Sequence, residues 1–321
     1  MMKYGAWFHR GDDVSDREQL ALAKANGLSA IRSYSYGYAE EMAPLLREAD
    51  MSLLGGMHVD AGALVEDWRS QVRLDELARY HELGVPLEAI CVGNELREGG
   101  DAPETKRFTA RLSFGLANVI SAYRGWLDDH GYETPLAYAM EGIVFDDLGY
   151  FHEWLWPLVD VLDIIGLNAY PMGSKDWFTF GAFEESRKFL REAKARHDRL
   201  ARFELRLRRA LTQAASKNKP VIFTETGFPS AVGYDVKDDK WVIPEHDTEK
   251  YAEAMVEFLS RIRSVNEEYD DRIQALYFYE WRDNLHHAKI WNVEQSPIHV
   301  AFGLCDRFGE PKFDIKALLA A

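Results

Sequence analysis

The chain has 321 residues, 47% of them hydrophobic and 28% charged, which suits a folded globular protein with a large core. A formal net charge of -15 opposes any polyphosphate partner, so nucleic acid is excluded as the expected ligand. No apolar run reaches the roughly 20 residues of a membrane span, and the start "MMKYGAWFHRGDD" lacks the basic-then-apolar pattern of an export signal, so no membrane partner and a cytoplasmic location are expected.

Short apolar runs then alternate with helical patterns. The first run, Tyr4–His9, precedes a helix over Asp16–Ala25, where Ser15 and Glu18 make a capping box and Gly27 is the stop signal. Ala30–Tyr34 leads to a helix over Glu40–Ala49, and Ser52–Met57 to one over Leu64–Leu83. Ala89–Asn94 precedes a helix over Lys106–Asp128, and Leu136–Met140 one over Leu148–Val159. After Ile164–Asn168 comes the Arg- and Glu-rich stretch Phe183–Ser216, too long for one barrel helix and read as a helical pair or one extended solvated helix. Val221–Glu225 and Ala275–Tyr279 complete the strands, with helices over Thr248–Val265 and Asp314–Leu319.

Eight strand-helix units in this length predict an α/β fold, a (β/α)8 TIM barrel, where a doubly wound sheet uses fewer strands. No repeat, low-complexity tract or linker divides the chain, so a single domain over 1–321 is expected. Three connections are longer than a barrel requires: Pro171–Phe183 after strand six, Pro229–Asp247 after strand seven and Glu280–Ala301 after strand eight. All three leave the C-terminal ends of strands, the face on which barrels build their sites. Their aromatics, Trp177, Phe178, Phe180, Trp241 and Trp291 among them, suit the apolar faces of sugar rings and equally serve as packing anchors.

Two glutamates stand out on that face. Glu95 closes "LEAICVGNE" and Glu225 closes "KPVIFTE". A carboxylate ending a buried strand is costly unless it is paired or used. Two such sites, flanked by Gly93 and Asn94 and by Thr226 and Gly227, favour paired acid/base chemistry over two unrelated ion pairs. By strand count they end strands four and seven and face one another across the barrel mouth. Carboxyl groups about 5–5.5 Å apart cleave a glycosidic bond with retention, one attacking while the other donates and later accepts a proton.

The segments "VGNE" (Val92–Glu95), "LNAYP" (Leu167–Pro171), "TETGFPS" (Thr224–Ser230) and "FGLCDRFGEPK" (Phe302–Lys312) resemble signature segments of clan A glycoside hydrolases, most of all the β-1,3-glucanase family, family seventeen. The resemblance runs through the barrel in order and is most specific at strand seven. It implies Glu95 as acid/base, Glu225 as nucleophile and Asn94 as donor to the sugar 2-hydroxyl. Tyr170 is then a contact of the nucleophile or of the sugar in the −1 subsite, and Glu294 in "NVEQ" resembles a motif acid. Phe228 stands where the family has Trp, the strand-eight end reads "YFYEWRDN", and residues intervene between Glu294 and Phe302. Those departures bear on substrate more than on mechanism.

Further strand-end residues carry two readings each. Arg32 either holds Glu225 ionised or makes a structural ion pair. His9 and His58 either bind sugar hydroxyls or are hydrogen-bonded structural residues. Glu280 and Trp281 either grip hydroxyls and floor the −1 sugar or pack a loop. His286 and His287 with Glu294 match no metal-site spacing, and Cys91 and Cys305 read as core thiols, so no metal or cofactor is expected. The expected function is a retaining β-glycosidase on β-linked glucan or gluco-oligosaccharide, β-1,3-linked by the resemblance. A transglycosylase on the same substrates and a catalytically silent carbohydrate-binding barrel are the alternatives.

Overall fold

Apolar runs without alternation belong to strands buried on both faces, and such strands pair in parallel beneath covering helices. The computed structural model describes residues 2–9, 14–98, 108–141, 153–172, 182–237, 241–284 and 300–320. Strands β1 Lys3–Trp7, β2 Ala30–Arg32, β3 Ser52–Met57, β4 Leu87–Asn94, β5 Leu136–Glu141, β6 Ile164–Asn168 and β7 Val221–Thr226 lie in sequential order in a closed barrel. The hairpin β8 Ala231–Lys237 and β9 Trp241–His246 follows, and β10 Ile273–Phe278 closes the barrel against β1 through the parallel pair Gly5↔Tyr277. The fold is the expected (β/α)8 barrel, and each expected strand overlaps an observed one.

Helices α1 Asp16–Ala25, α2 Tyr36–Ala49, α3 Ala61–Glu66, α4 Leu74–Glu82 and α5 Ala110–Asp129 belong to the first half. Helices α6 Trp156–Val161, α7 Ala182–Arg191, α8 Ala193–Ser216, α9 Thr248–Glu268 and α10 Ile315–Ala320 complete the set among the described residues. Most of the apolar core lies between strands and helices. A smaller cluster including Leu54, Ala89, Cys91, Ile222 and Tyr277 fills the barrel interior. Close strand approach demands glycine at one point: a Cβ on Gly56 would collide with the Ser33 carbonyl and the Tyr34 backbone.

Three segments refine the expected elements. The helix expected over Leu64–Leu83 is split, because Asp67 takes an extended conformation and its Oδ1 accepts from Arg69 N at 3.1 Å, starting a separate 3-10 turn. The long stretch to Ser216 is a helical pair, broken at Glu192, where φ -103 and ψ 104 leave the helical region. The connection after strand seven holds the β8–β9 hairpin, antiparallel with Tyr234 opposite Pro244. Among the described residues no helix is long and apolar enough to cross a membrane, and no group of three or more potential ligands is placed to hold a metal ion.

Candidate active site

The barrel brings Glu225, Arg32, Asn94, Tyr170 and Glu95 into one hydrogen-bonded network at its C-terminal mouth. Glu225, on β7, is buried. Three donors converge on it: Arg32 Nη1 at 2.6 Å, the Tyr34 hydroxyl at 2.6 Å and the Tyr170 hydroxyl at 2.7 Å. Burial pushes both phenols well above the ordinary tyrosine range, so they keep their protons and donate. Arg32 is itself buried, which opposes its charge, but Tyr34 and Glu225 more than offset this and its pKa is raised. Its Nη1 also donates to the Thr224 carbonyl at 2.7 Å, and its Nη2 reaches Asn94 Oδ1 at 2.7 Å. The contact with Glu225 is common to both readings of Arg32. Because breaking a buried ion pair leaves an uncompensated charge, Arg32→Met is expected to cost roughly 3–5 kcal/mol of stability near neutral pH. Urea unfolding measures this, and Arg32→Lys should fall between.

Glu95 follows β4 directly, and its backbone lies in the left-handed region at φ 47 after Gly93 at φ 80. A non-glycine residue there is strained and persists only where surrounding contacts impose it. Two do: Glu95 N donates to the Ala139 carbonyl at 3.0 Å, and Leu96 N to the Tyr138 hydroxyl at 3.0 Å. The turn aims the carboxyl at Asn168, whose Nδ2 donates to Glu95 Oε1 at 2.8 Å and to Asn94 Oδ1 at 3.1 Å. The Thr224 hydroxyl fixes Asn168 from behind, donating to its Oδ1 at 2.6 Å. With its amide oxygen accepting twice, Asn94 has its Nδ2 left to donate into the cleft.

Glu95 keeps some surface towards the cleft while its carboxyl is ringed by protein. Burial, then the charges of Glu225 and Glu141, push its pKa up to about 8, against the hydrogen bond from Asn168 and the charge of Arg97. These influences together favour the protonated form of Glu95. The two carboxyls have different neighbours: one faces an amide and other carboxylates, the other a guanidinium and two phenols.

His9 and Glu280 meet, with Nδ1 2.9 Å from Oε2 and Glu280 fully buried. Burial and then the charge of Arg282 lower the His9 pKa to about 3, so the contact is a hydrogen bond to a neutral ring. Arg282 supplies the local positive charge and donates to the His9 carbonyl at 3.1 Å. With Glu280 ionised, the ring gives Nδ1–H to it and presents Nε2 as an acceptor. His58 is exposed after β3, on a cavity of about 230 Å³ also lined by Arg32, Tyr34, Met57, Cys91 and Asn94. Glu294, His286 and His287 lie outside the described residues, as do Trp177, Phe178, Phe180 and Trp291.

Trp281 is not a cleft floor. It is 1% exposed, stacks on Phe8 at 5.9 Å between ring centroids, and donates its indole N–H to Gln19 of α1 at 2.9 Å. The chain beyond β10 passes beside β1, with Trp281 N bonded to the Trp7 carbonyl at 3.0 Å, and this carries the indole under α1. Tyr279 joins the aromatics at the mouth, stacked on Trp7 at 5.6 Å and edge-on to Phe302 at 5.7 Å.

Ser230 and Lys312, from two of the resemblance segments, form a separate buried cluster. Lys312 Nζ donates to Asp283 Oδ1 at 2.6 Å, to the Ser230 hydroxyl at 2.8 Å and to the Gly303 carbonyl at 2.8 Å. His246 lies 2.8 Å from the Ser230 hydroxyl and 3.2 Å from Asp283. Ser230 is fully buried, and this constellation ties the chain after β7, the β9 end and the C-terminal segment together.

Sequence reasoning missed Tyr34, Asn168, Tyr279 and the pair Arg97–Glu141. Tyr34 was findable, because a strand places residues two apart on one face and Arg32 is two residues earlier. Asn168 likewise stands two residues before Tyr170 inside a quoted segment.

These observations define a (β/α)8 barrel with carboxyls from the ends of β4 and β7 joined at its mouth. No protein-family model and no curated protein matches the sequence. Solved structures do match. An endo-laminarinase from Formosa is 18% identical with a TM-score of 0.61, covering 99% of this chain and 86% of its own. A β-1,3-glucanase and allergen of Cryptomeria japonica pollen is 14% identical with a TM-score of 0.62, covering 98% of each chain. A fungal β-1,4-galactanase is 13% identical with a TM-score of 0.59, covering 99% of each. At such identities the likeness establishes the shared fold.

Proposed function

We propose that the chain is a retaining β-glycosidase acting on β-linked glucan or gluco-oligosaccharide, β-1,3-linked by the sequence resemblance. The feature that carries it is the asymmetry of the two carboxyls: burial and neighbouring carboxylates push the Glu95 pKa up, while Glu225 sits against Arg32 and two phenolic donors. Glu225 attacks the anomeric carbon as Glu95 gives its proton to the departing glycosidic oxygen, forming a glycosyl ester. Glu95, now ionised, takes a proton from water, whose oxygen displaces Glu225 and restores both groups. Asn94 Nδ2 donates to the 2-hydroxyl, His9 Nε2 accepts from a further hydroxyl, and Tyr279 with Trp7 offers an aromatic wall. The fold neighbours named for laminarin, β-1,3-glucan and β-1,4-galactan support a carbohydrate substrate.

A panel of defined β-linked gluco- and galacto-oligosaccharides, with product sizing and NMR of the first-formed anomer, tests the reading. Release of the β anomer from a β-1,3-glucoside is expected. Initial release of the α anomer, or sugar binding without turnover, would sink it, and longer products at high substrate concentration would identify a transglycosylase.

A further inference from the structure

Beside Glu95 stands an ion pair that the proposed mechanism leaves unused. Arg97 follows Glu95 by two residues, and Glu141, the last residue of β5, follows by two the Ala139 whose carbonyl pins Glu95 N. Arg97 holds Glu141 with two arms, Nε donating to Oε2 at 2.7 Å and Nη2 to Oε1. Glu141 is 7% exposed, so its charge is poorly screened from Glu95, whereas the Arg97 side chain is about a third exposed at 32%. The carboxylate thus acts on Glu95 from inside the protein, and its counter-ion sits further out.

We infer that the Arg97–Glu141 pair is a positioning element for Glu95, holding that carboxyl in its proton-donating form through a second buried carboxylate without touching substrate. The inference rests on the glycosidase reading for its catalytic meaning and on geometry for its physical content. Other groups face Glu95 from every side: Glu225 from β7, Asn168 from β6, Tyr138 from β5, and Tyr170 and Tyr279 from the following connections. Asn168 and Arg97 favour the ionised form, whereas Glu225 and Glu141 oppose it. Glu141 is the charge that can be removed without disturbing the nucleophile's own contacts.

Glu141→Gln keeps the shape and a hydrogen-bond acceptor for Arg97 while deleting the charge. Glu95 then loses a repelling neighbour and retains an attracting one, so its proton is held less tightly. The basic limb of kcat/KM against pH should move down by about one unit, a tenfold loss of proton affinity. Arg97→Gln/Glu141→Gln, which removes both charges, should return part of that shift. An unmoved limb with a lower plateau means a structural role only and overturns the inference. Infrared difference spectra against Glu95→Gln report the protonated carboxyl directly and need no turnover. If the parent hydrolyses no glycoside but the Glu95 signal still titrates lower in Glu141→Gln, the function fails and the coupling stands. If the parent is active and neither readout moves, the coupling fails and the function stands.

Discussion

Glu225→Ala is expected to lose activity by roughly ten-thousandfold or more, as removal of a covalent nucleophile does elsewhere. Sodium azide should then restore turnover of an activated aryl β-glycoside, releasing an α-glycosyl azide. The stereochemistry follows from the site: azide enters the space left by the Glu225 carboxylate and makes one displacement from that face, where the parent makes two from opposite faces. Arg32 favours the rescue, because its Nη1 loses the Glu225 oxygen held at 2.6 Å and an anion in that space replaces it. The tyrosine hydroxyls of Tyr34 and Tyr170, each bonded to one Glu225 oxygen, also need a new acceptor. Glu225→Gln fills the same volume and should not be rescued, which separates a vacated site from a general salt effect. A Glu225→Ala protein that keeps activity within tenfold of the parent, or a β-configured azide, would remove Glu225 from the nucleophile's role. Circular dichroism must accompany the assay, since Arg32 is left buried without its carboxylate.

The barrel was legible because strands buried on both faces read as unbroken apolar runs, and because a carboxylate ending such a run stands out against them. Arg32 was legible from its strand-end position, whereas Asn94 and Tyr170 were named through the resemblance; all three join the network around Glu225 and Glu95. The Arg97–Glu141 contact was not, since the partners are 44 residues apart and meet only once β4 and β5 pair. Trp281 was misplaced because a strand-end position does not say which way the chain turns afterwards; packing on Phe8 and a partner for the indole N–H at Gln19 decided it. The β8–β9 hairpin escaped notice because Gly233 and Pro244 interrupt runs that would otherwise signal strands.

Activity should decline as pH rises through about 8, because the free enzyme's proton donor is then lost. Replacing that donor produces effects that depend on the leaving group. Glu95→Ala should scarcely slow the first step on a dinitrophenyl glycoside, whose leaving group departs without protonation, and should nearly abolish cleavage of an unactivated disaccharide. The second step still needs a base, so the glycosyl ester on Glu225 should accumulate and be visible by intact mass. Azide needs no base and should release it as a β-glycosyl azide, opposite in configuration to the Glu225→Ala product. Stability supplies a second reading of the same group. Its folded-state pKa is raised from 4.5 to about 8, so the stabilisation from protonated Glu95 is complete below the unfolded value and is lost as pH rises through the folded one. Glu95→Gln cannot ionise and escapes that loss, so in urea unfolding at about pH 9 it should be more stable than the parent, with the advantage gone by about pH 5. A variant less stable than the parent at both pH values, with the basic limb of the parent's activity unmoved from the ordinary carboxylate range, would mean that Glu95 is not the group held protonated at the barrel mouth.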